Sequence, residues 1–199
     1  HPKTSKYWSE VTNGVVVINP EAIAEQLEAA KAQVAAAKAA GKEILVVCEK
    51  KMYAEELEAL AQKAGVAFLN YKVSGGFLTN FDTFKKRIDS INEMVSFMET
   101  DAFASLTKKE QLVYKRNFER ANKVYKGVTK LKKRPELVII VDGNMLSTLI
   151  DEVENLKGKL EAIVIAGTNF SRYWPENEII TTNINSYQSL DFVLKSILL

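Results

Sequence analysis

The chain has 199 residues, 47% of them hydrophobic and 26% charged, with one cysteine, one histidine and a formal charge of +2. That length holds one packed domain with an appendage and falls short of two full domains. No apolar run reaches the roughly 18 residues of a membrane span, and a lone Cys48 excludes an internal disulfide.

The opening stretch "HPKTSKYW" has neither a signal-peptide core nor an initiator Met, so the chain is expected to lack its native start. Residues 1–12 read as an extended, flexible tail. An Asn-Gly turn then begins "NGVVVINPE" (13–21), a short apolar strand leading to an Ala-rich helix from about Pro20 to Ala40. Asn19 suits its N-cap, Pro20 its first turn, and Gly41 its end. "KEILVVCEKK" (42–51) is a continuous apolar strand that should bury Cys48, which fits a reducing cytosol or an organelle matrix. A helix over about 52–64 stops at Gly65, and "GVAFLNYKV" (65–73) gives the next strand.

Beyond "VSGGFLTNF" (73–81) the alternation is interrupted. Phe84, Ile88, Ile91, Val95 and Met98 are spaced 4-3-4-3, and so are Tyr114, Phe118, Ala121, Tyr125 and Val128. With a turn near Asp101–Lys108, the two stripes predict an antiparallel coiled-coil hairpin over residues 82–134. This segment holds 14 basic and 7 acidic residues, a net +7 that leaves −5 for the rest of the chain. Such asymmetry points to a polyanionic partner; the plain alternative is a solvated helical face. Lys85, Lys86, Arg87, Lys108, Lys109, Lys115, Arg116, Arg120 and Lys123 fall on the outward faces, and Lys130, Lys132, Lys133 and Arg134 close the return helix.

"PELVIIVDG" (135–143) and "LEAIVIAGTN" (160–169) resume the strands around a helix of about 146–157, and "EIITTN" and "SLDFVLKSI" supply a last strand and helix. Strands that are apolar throughout and separated by helices predict a flavodoxin-like (Rossmann-type) parallel sheet sandwiched by helices. The domain plan is therefore an α/β domain from 1–81 and 135–199, with the hairpin inserted between.

Catalytic groupings are scarce. His1 is the only histidine, no Cys/His cluster has metal-ligand spacing, and no GxGxxG or GxxxxGK[ST] loop is present. Gly75-Gly76 has N–H groups to offer a phosphate; a tight turn needing positive φ is the preferred reading. Asp142 and Thr168-Asn169 follow strand ends, where turn or capping roles are preferred to chemistry.

These residues carry a resemblance. "VSGGFLTNF" resembles the R-W-L-G-G-x-L-T-N-F signature of the bacterial-type small-subunit ribosomal protein S-two family (universal small-subunit protein two), matched at Gly75, Gly76, Leu78, Thr79, Asn80 and Phe81. "HPKTSKYWSEVTNG" is similar to its N-P-K-M segment at Pro2, Lys3, Tyr7, Asn13 and Gly14, and Lys50-Lys51 to its G-T-K-K strand end. "LTKKEQL", "GVTKLKKRPELVIIVD", "AGTN" and Asn183 follow in the family's order, so the likeness spans essentially the whole chain. Departures mark a divergent lineage: Lys72-Val73-Ser74 stands for Arg-Trp-Leu, Cys48-Glu49 for Gly-Thr, Gly167 for the Asp of D-T-N and Gly143 for a Pro.

The resemblance implies a structural constituent of the small ribosomal subunit, with no catalysis and no cofactor. It would bind small-subunit rRNA and neighbouring ribosomal proteins, including the S-one protein, in the cytoplasm or an organelle matrix. Membrane and DNA are not expected partners. The residues expected to touch RNA are Lys3, Lys6, Tyr7, Lys50, Lys51, Lys72, Lys85, Lys86, Arg87, Lys130, Lys132, Lys133 and Arg134. Tyr7 and Trp8 either stack on an unpaired base or anchor the tail. Gly75 and Gly76 would form the turn out of the sheet, with Thr79 or Asn80 capping the first arm helix. Two other classes remain: a flavodoxin-like enzyme binding a small molecule or phosphate at Gly75-Gly76, Asp142 and Thr168, and a coiled-coil scaffold whose charge serves solubility.

Overall fold

The computed structural model describes residues 1–199. The start of the chain is folded, contrary to the flexible tail expected from sequence. Pro2–Tyr7 forms a 3-10 helix, followed by strand β1 (Trp8–Thr12) and strand β2 (Val15–Ile18), which pair antiparallel. Asn13 and Gly14 both have positive φ (+53° and +78°), as a two-residue hairpin turn requires. This hairpin stands apart from the main sheet, so "VVVI" joins β1 alone. What ties down this segment is the carbonyl of Thr168, which accepts from the His1 backbone nitrogen at 2.7 Å and from the Thr4 hydroxyl at 2.6 Å.

Helix α1 (Pro20–Ala39) starts where the sequence placed it, the Asn19 side chain accepting the N–H of Glu21. Strand β3 (Ile44–Val47), helix α2 (Ala54–Ala64) and strand β4 (Ala67–Leu69) follow, α2 ending on Gly65 in the left-handed conformation. A long connection carries helices α3 (Phe81–Met98), α4 (Asp101–Ala104) and α5 (Lys108–Tyr125) before strand β5 (Leu137–Val141). Helix α6 (Ser147–Asn155), strand β6 (Glu161–Ala166), strand β7 (Ile179–Thr181) and helix α7 (Tyr187–Leu198) complete the chain.

The five main strands are all parallel, in the order β4-β3-β5-β6-β7. Numbered among themselves they run 2-1-3-4-5, the flavodoxin-like order, with the topological switch point between β3 and β5. Both faces are covered, which is why the strands read as unbroken apolar runs. Ile44 and Val46 point into one core with Leu27, Val34, Leu57 and Leu194; Leu45 and Val47 point into the other with Leu78, Phe84, Ile150 and Val153. Cys48 is fully buried, and burial pushes its thiol up to about 11.

The inserted helices run antiparallel. Phe84 near the start of α3 meets Tyr125 at the end of α5, their ring centroids 6.4 Å apart, while Phe97 and Tyr114 meet at 5.2 Å at the far end. The expected turn contains α4, whose Phe103 completes a three-ring cluster with Phe97 and Tyr114. A capping box, Thr107 with Glu110, launches α5. Burial is uneven: Phe84, Ile88 and Ile91 are buried, Val95 is exposed, and no residue of α5 is buried. After α5 a 3-10 turn, Lys126–Val128, lies on edge strand β4 and shields it.

Candidate nucleic-acid interface

The Gly-Gly turn holds an anion that the chain itself supplies. Glu152, buried on α6, accepts the N–H of Gly76 at 2.6 Å, of Leu78 at 2.8 Å and of Thr79 at 3.1 Å. Converging backbone donors of this kind suit a phosphate, but here a carboxylate fills the cradle. Gly76 has φ +85°, whereas Gly75 lies outside the left-handed region. Neither expected cap acts as one. The Thr79 hydroxyl faces Glu152, and Asn80, although at the N-cap position, accepts from the Thr83 hydroxyl and makes no cap bond. Glu152 was invisible in the sequence reading because it lies more than seventy residues from the turn, on a helix whose polar positions look solvated.

The switch-point crevice is occupied in the same way. Lys50, just beyond β3, reaches Asp142, just beyond β5, at 2.9 Å, with only 14% and 13% of their side-chain surfaces exposed. The Lys50 ammonium also donates to Asn185 Oδ1 at 3.0 Å, and Asp142 Oδ1 accepts the N–H of Met145 at 3.2 Å. Asp142 has φ +68°, so it serves the turn and the ion pair together. The Gly76 N–H, the Asp142 carboxylate and the Thr168 carbonyl, three groups that a phosphate-binding enzyme would use here, therefore have intramolecular partners.

The basic residues divide by partner. Lys6 pairs with Glu176, Lys85 with Asp89, and Lys133 with Glu136 at 2.6 Å. The Glu176 carboxylate holds Lys6 above its ordinary value, and Lys133 holds Glu136 below the usual carboxylate range. Lys3 lies over the Tyr173 ring at 4.4 Å and Arg87 over the Phe84 ring at 5.3 Å. Tyr7 is buried, its ring in the core beside the sheet, which is the anchoring arrangement rather than an exposed stacking face. Lys51, Lys72, Lys86, Lys130, Lys132 and Arg134 are exposed.

These side chains do not form one surface. The largest convergence is a concavity of about 460 Å³ at the root of the inserted helices, where Lys85, Lys132, Lys133 and Arg134 meet Lys159. Lys159 was not expected. The signal for it is topological: Arg134 shortly precedes β5 and Lys159 shortly precedes β6, and these neighbouring strands pair in register from Leu137 and Glu161. Residues entering adjacent parallel strands share one end of the sheet.

The family model described as Ribosomal protein S2 matches residues 1–198. The chain is similar to the small ribosomal subunit protein uS2 of Francisella tularensis subsp. holarctica (strain OSU18), 30% identical over 197 residues, covering 98% of this chain and 80% of the relative. The same protein of Francisella philomiragia subsp. philomiragia is 29% identical over the same spans.

Proposed function

The chain belongs to the ribosomal protein S2 family, and from that membership we infer that it is a structural, non-catalytic constituent of the small ribosomal subunit. The match over residues 1–198 carries this reading. It associates with small-subunit rRNA and with neighbouring ribosomal proteins, in the cytoplasm or in an organelle matrix. No helix is long and apolar enough to cross a membrane.

RNA is held largely through phosphate contacts from lysine and arginine, which release counterions and make binding salt-dependent. Within the set Lys3, Lys6, Tyr7, Lys50, Lys51, Lys72, Lys85, Lys86, Arg87, Lys130, Lys132, Lys133 and Arg134, the exposed and unpaired members are best placed to act. Lys50 and Tyr7 support the fold instead, one in its ion pair and one in the core. The α3–α5 pair is a coiled-coil arm, supported by the 4-3 spacing and the antiparallel ring contacts at both ends. The S-one protein is a further partner in this reading, on the strength of the family resemblance alone.

Co-sedimentation of tagged protein with small subunits through a rising-salt wash tests the proposal. Retention at moderate salt and release at high salt is the expected result. A chain that stays at the top of the gradient at every salt concentration would overturn it.

A further inference from the structure

The +7 of the inserted segment is spread along two helices, and at their root the structure brings two of its unpaired cations together with a third from outside the segment. The root concavity is lined by Lys85, Lys132, Lys133, Arg134 and Lys159, against the carboxylates of Asp82 and Glu136. Five cations against two carboxylates leave a net +3 in the lining. Lys85 is engaged by Asp89 and Lys133 by Glu136, whereas Lys132, Arg134 and Lys159 form no ion pair within the chain. These three come from two separate segments and meet only because β5 and β6 are adjacent. The first turn of α3, with Asn80 making no side-chain cap, borders the same concavity through Phe81 and Asp82, and its dipole adds to the positive field.

We propose that this concavity is a clamp for the phosphate backbone of RNA, with Lys132, Arg134 and Lys159 as its unpaired cations. The inference rests on the ribosomal reading and gives it a location: the arm's principal electrostatic contact lies at its root, at the N-terminal ends of β5 and β6, and not at its tip. Arg134 supplies a planar fork able to grip a phosphate through two N–H groups, while Lys132 and Lys159 act as point charges on either side. Thr79 also lines the concavity, but its hydroxyl donates to Glu152. Cations without internal partners keep their full attraction for an incoming polyanion. The paired Lys6, Lys50, Lys85 and Lys133 must first give up a carboxylate, or share it.

The test uses the full chain and small-subunit rRNA transcribed in vitro, with affinity measured across a potassium chloride series. The triple variant Lys132→Gln, Arg134→Gln, Lys159→Gln is compared with a tip variant, Lys108→Gln, Lys109→Gln, Lys115→Gln. Each lost phosphate contact reduces the slope of log affinity against log salt by roughly 0.7–0.9, so the root variant should lose about 2 in slope and the tip variant less than about 1. Lys159→Glu alone, a single exposed change with melting followed in parallel, keeps the test valid if the triple variant folds poorly; it should weaken binding at least as much as any single tip change. A root variant with wild-type slope, while wild type binds, overturns the clamp and leaves the ribosomal reading standing. Equal losses from root and tip overturn it as well, since the charge would then act diffusely. Failure of the wild-type chain to bind the RNA at any salt overturns both.

Discussion

The carboxylate of Glu152 accepts the N–H of Gly76 at 2.6 Å, locking the turn from which the inserted helices depart onto the face of α6. The same group accepts the N–H groups of Leu78 and Thr79, so one side chain satisfies three donors at the edge of the core. Replacing it with Ala would leave these donors without partners. Glu152→Ala should cost about 3 kcal/mol and Glu152→Gln, which keeps one acceptor, about 1–2 kcal/mol. Urea unfolding would show this as a lower midpoint at unchanged slope. A Glu152→Ala midpoint equal to wild type would mean that the turn does not depend on the carboxylate.

The two glycines of the turn should respond differently to alanine. Gly76 has φ +85°, where a Cβ is strained, so Gly76→Ala should cost roughly 1–2 kcal/mol. A Cβ on Gly75 would meet Thr148 Cγ2 at an ordinary 3.6 Å, and Gly75→Ala should shift stability by less than about 0.5 kcal/mol. Sequence alone placed the strain on either glycine; thermal melts of the two variants separate them.

Gly127 has a different reason to be glycine. A Cβ there would lie 2.2 Å from the Phe68 carbonyl oxygen, because the 3-10 turn after α5 presses its backbone onto β4. Gly127→Ala must push that turn off the sheet edge, at a cost of about 1–3 kcal/mol. Faster amide exchange in residues 67–69 would accompany the loss. Unchanged exchange would show that the turn does not protect the edge.

The Lys50–Asp142 pair should be strongly coupled, since both groups are shielded and each also holds a turn or an Asn. Asp142→Ala strands a poorly solvated ammonium and should cost about 3 kcal/mol or more. In a cycle with Lys50→Met, the coupling should come to about 1–3 kcal/mol. Additive single effects would argue that solvent screens the pair.

Cys48 gives a pH-dependent prediction. Its native value of about 11 stands above the ordinary 9.0, so the unfolded thiol ionises first as pH rises. The unfolded chain then binds fewer protons than the folded one, and stability falls as pH rises through that window. The contribution is fully present below pH 9 and amounts to a loss on the order of 2 kcal/mol by pH 11. Cys48→Ala should flatten that part of the profile relative to wild type. The native thiol should also resist a disulfide reagent at pH 8 until the protein unfolds.

The alternation of strands and helices was legible because burial on both faces of a parallel sheet writes itself as unbroken apolar runs. "PELVIIVDG" contains β5, and "LEAIVIAGTN" contains β6, each trimmed at its ends where Asp142 and Gly167 leave the ladder. Helix ends were readable at Asn19 and Gly65, since capping depends on residues within one turn. The N-terminal segment was misread as flexible, because what orders it is the carbonyl of Thr168, far along the chain. Thr79 does not cap for a similar reason, since Glu152 claims its N–H and its hydroxyl, while Asn80 stands at the N-cap position with its side chain turned to Thr83.

Lys50 and Lys51 show where the sequence stops. Adjacent and chemically identical, they look equally fit to hold a phosphate, yet Lys50 is drawn into the crevice by Asp142 while Lys51 stays in solvent. Local periodicity and capping chemistry determined the elements and their order, because those forces act over a few residues, while the family was legible only through the resemblance of motifs such as "VSGGFLTNF". Which charges are neutralised and which remain free depends on strand order, which brings Lys50 to Asp142, Glu152 to Gly76 and Lys159 to Arg134 across gaps of 25 to 92 residues. Electrostatic partners are chosen by distance in space, and only the folded sheet sets that distance.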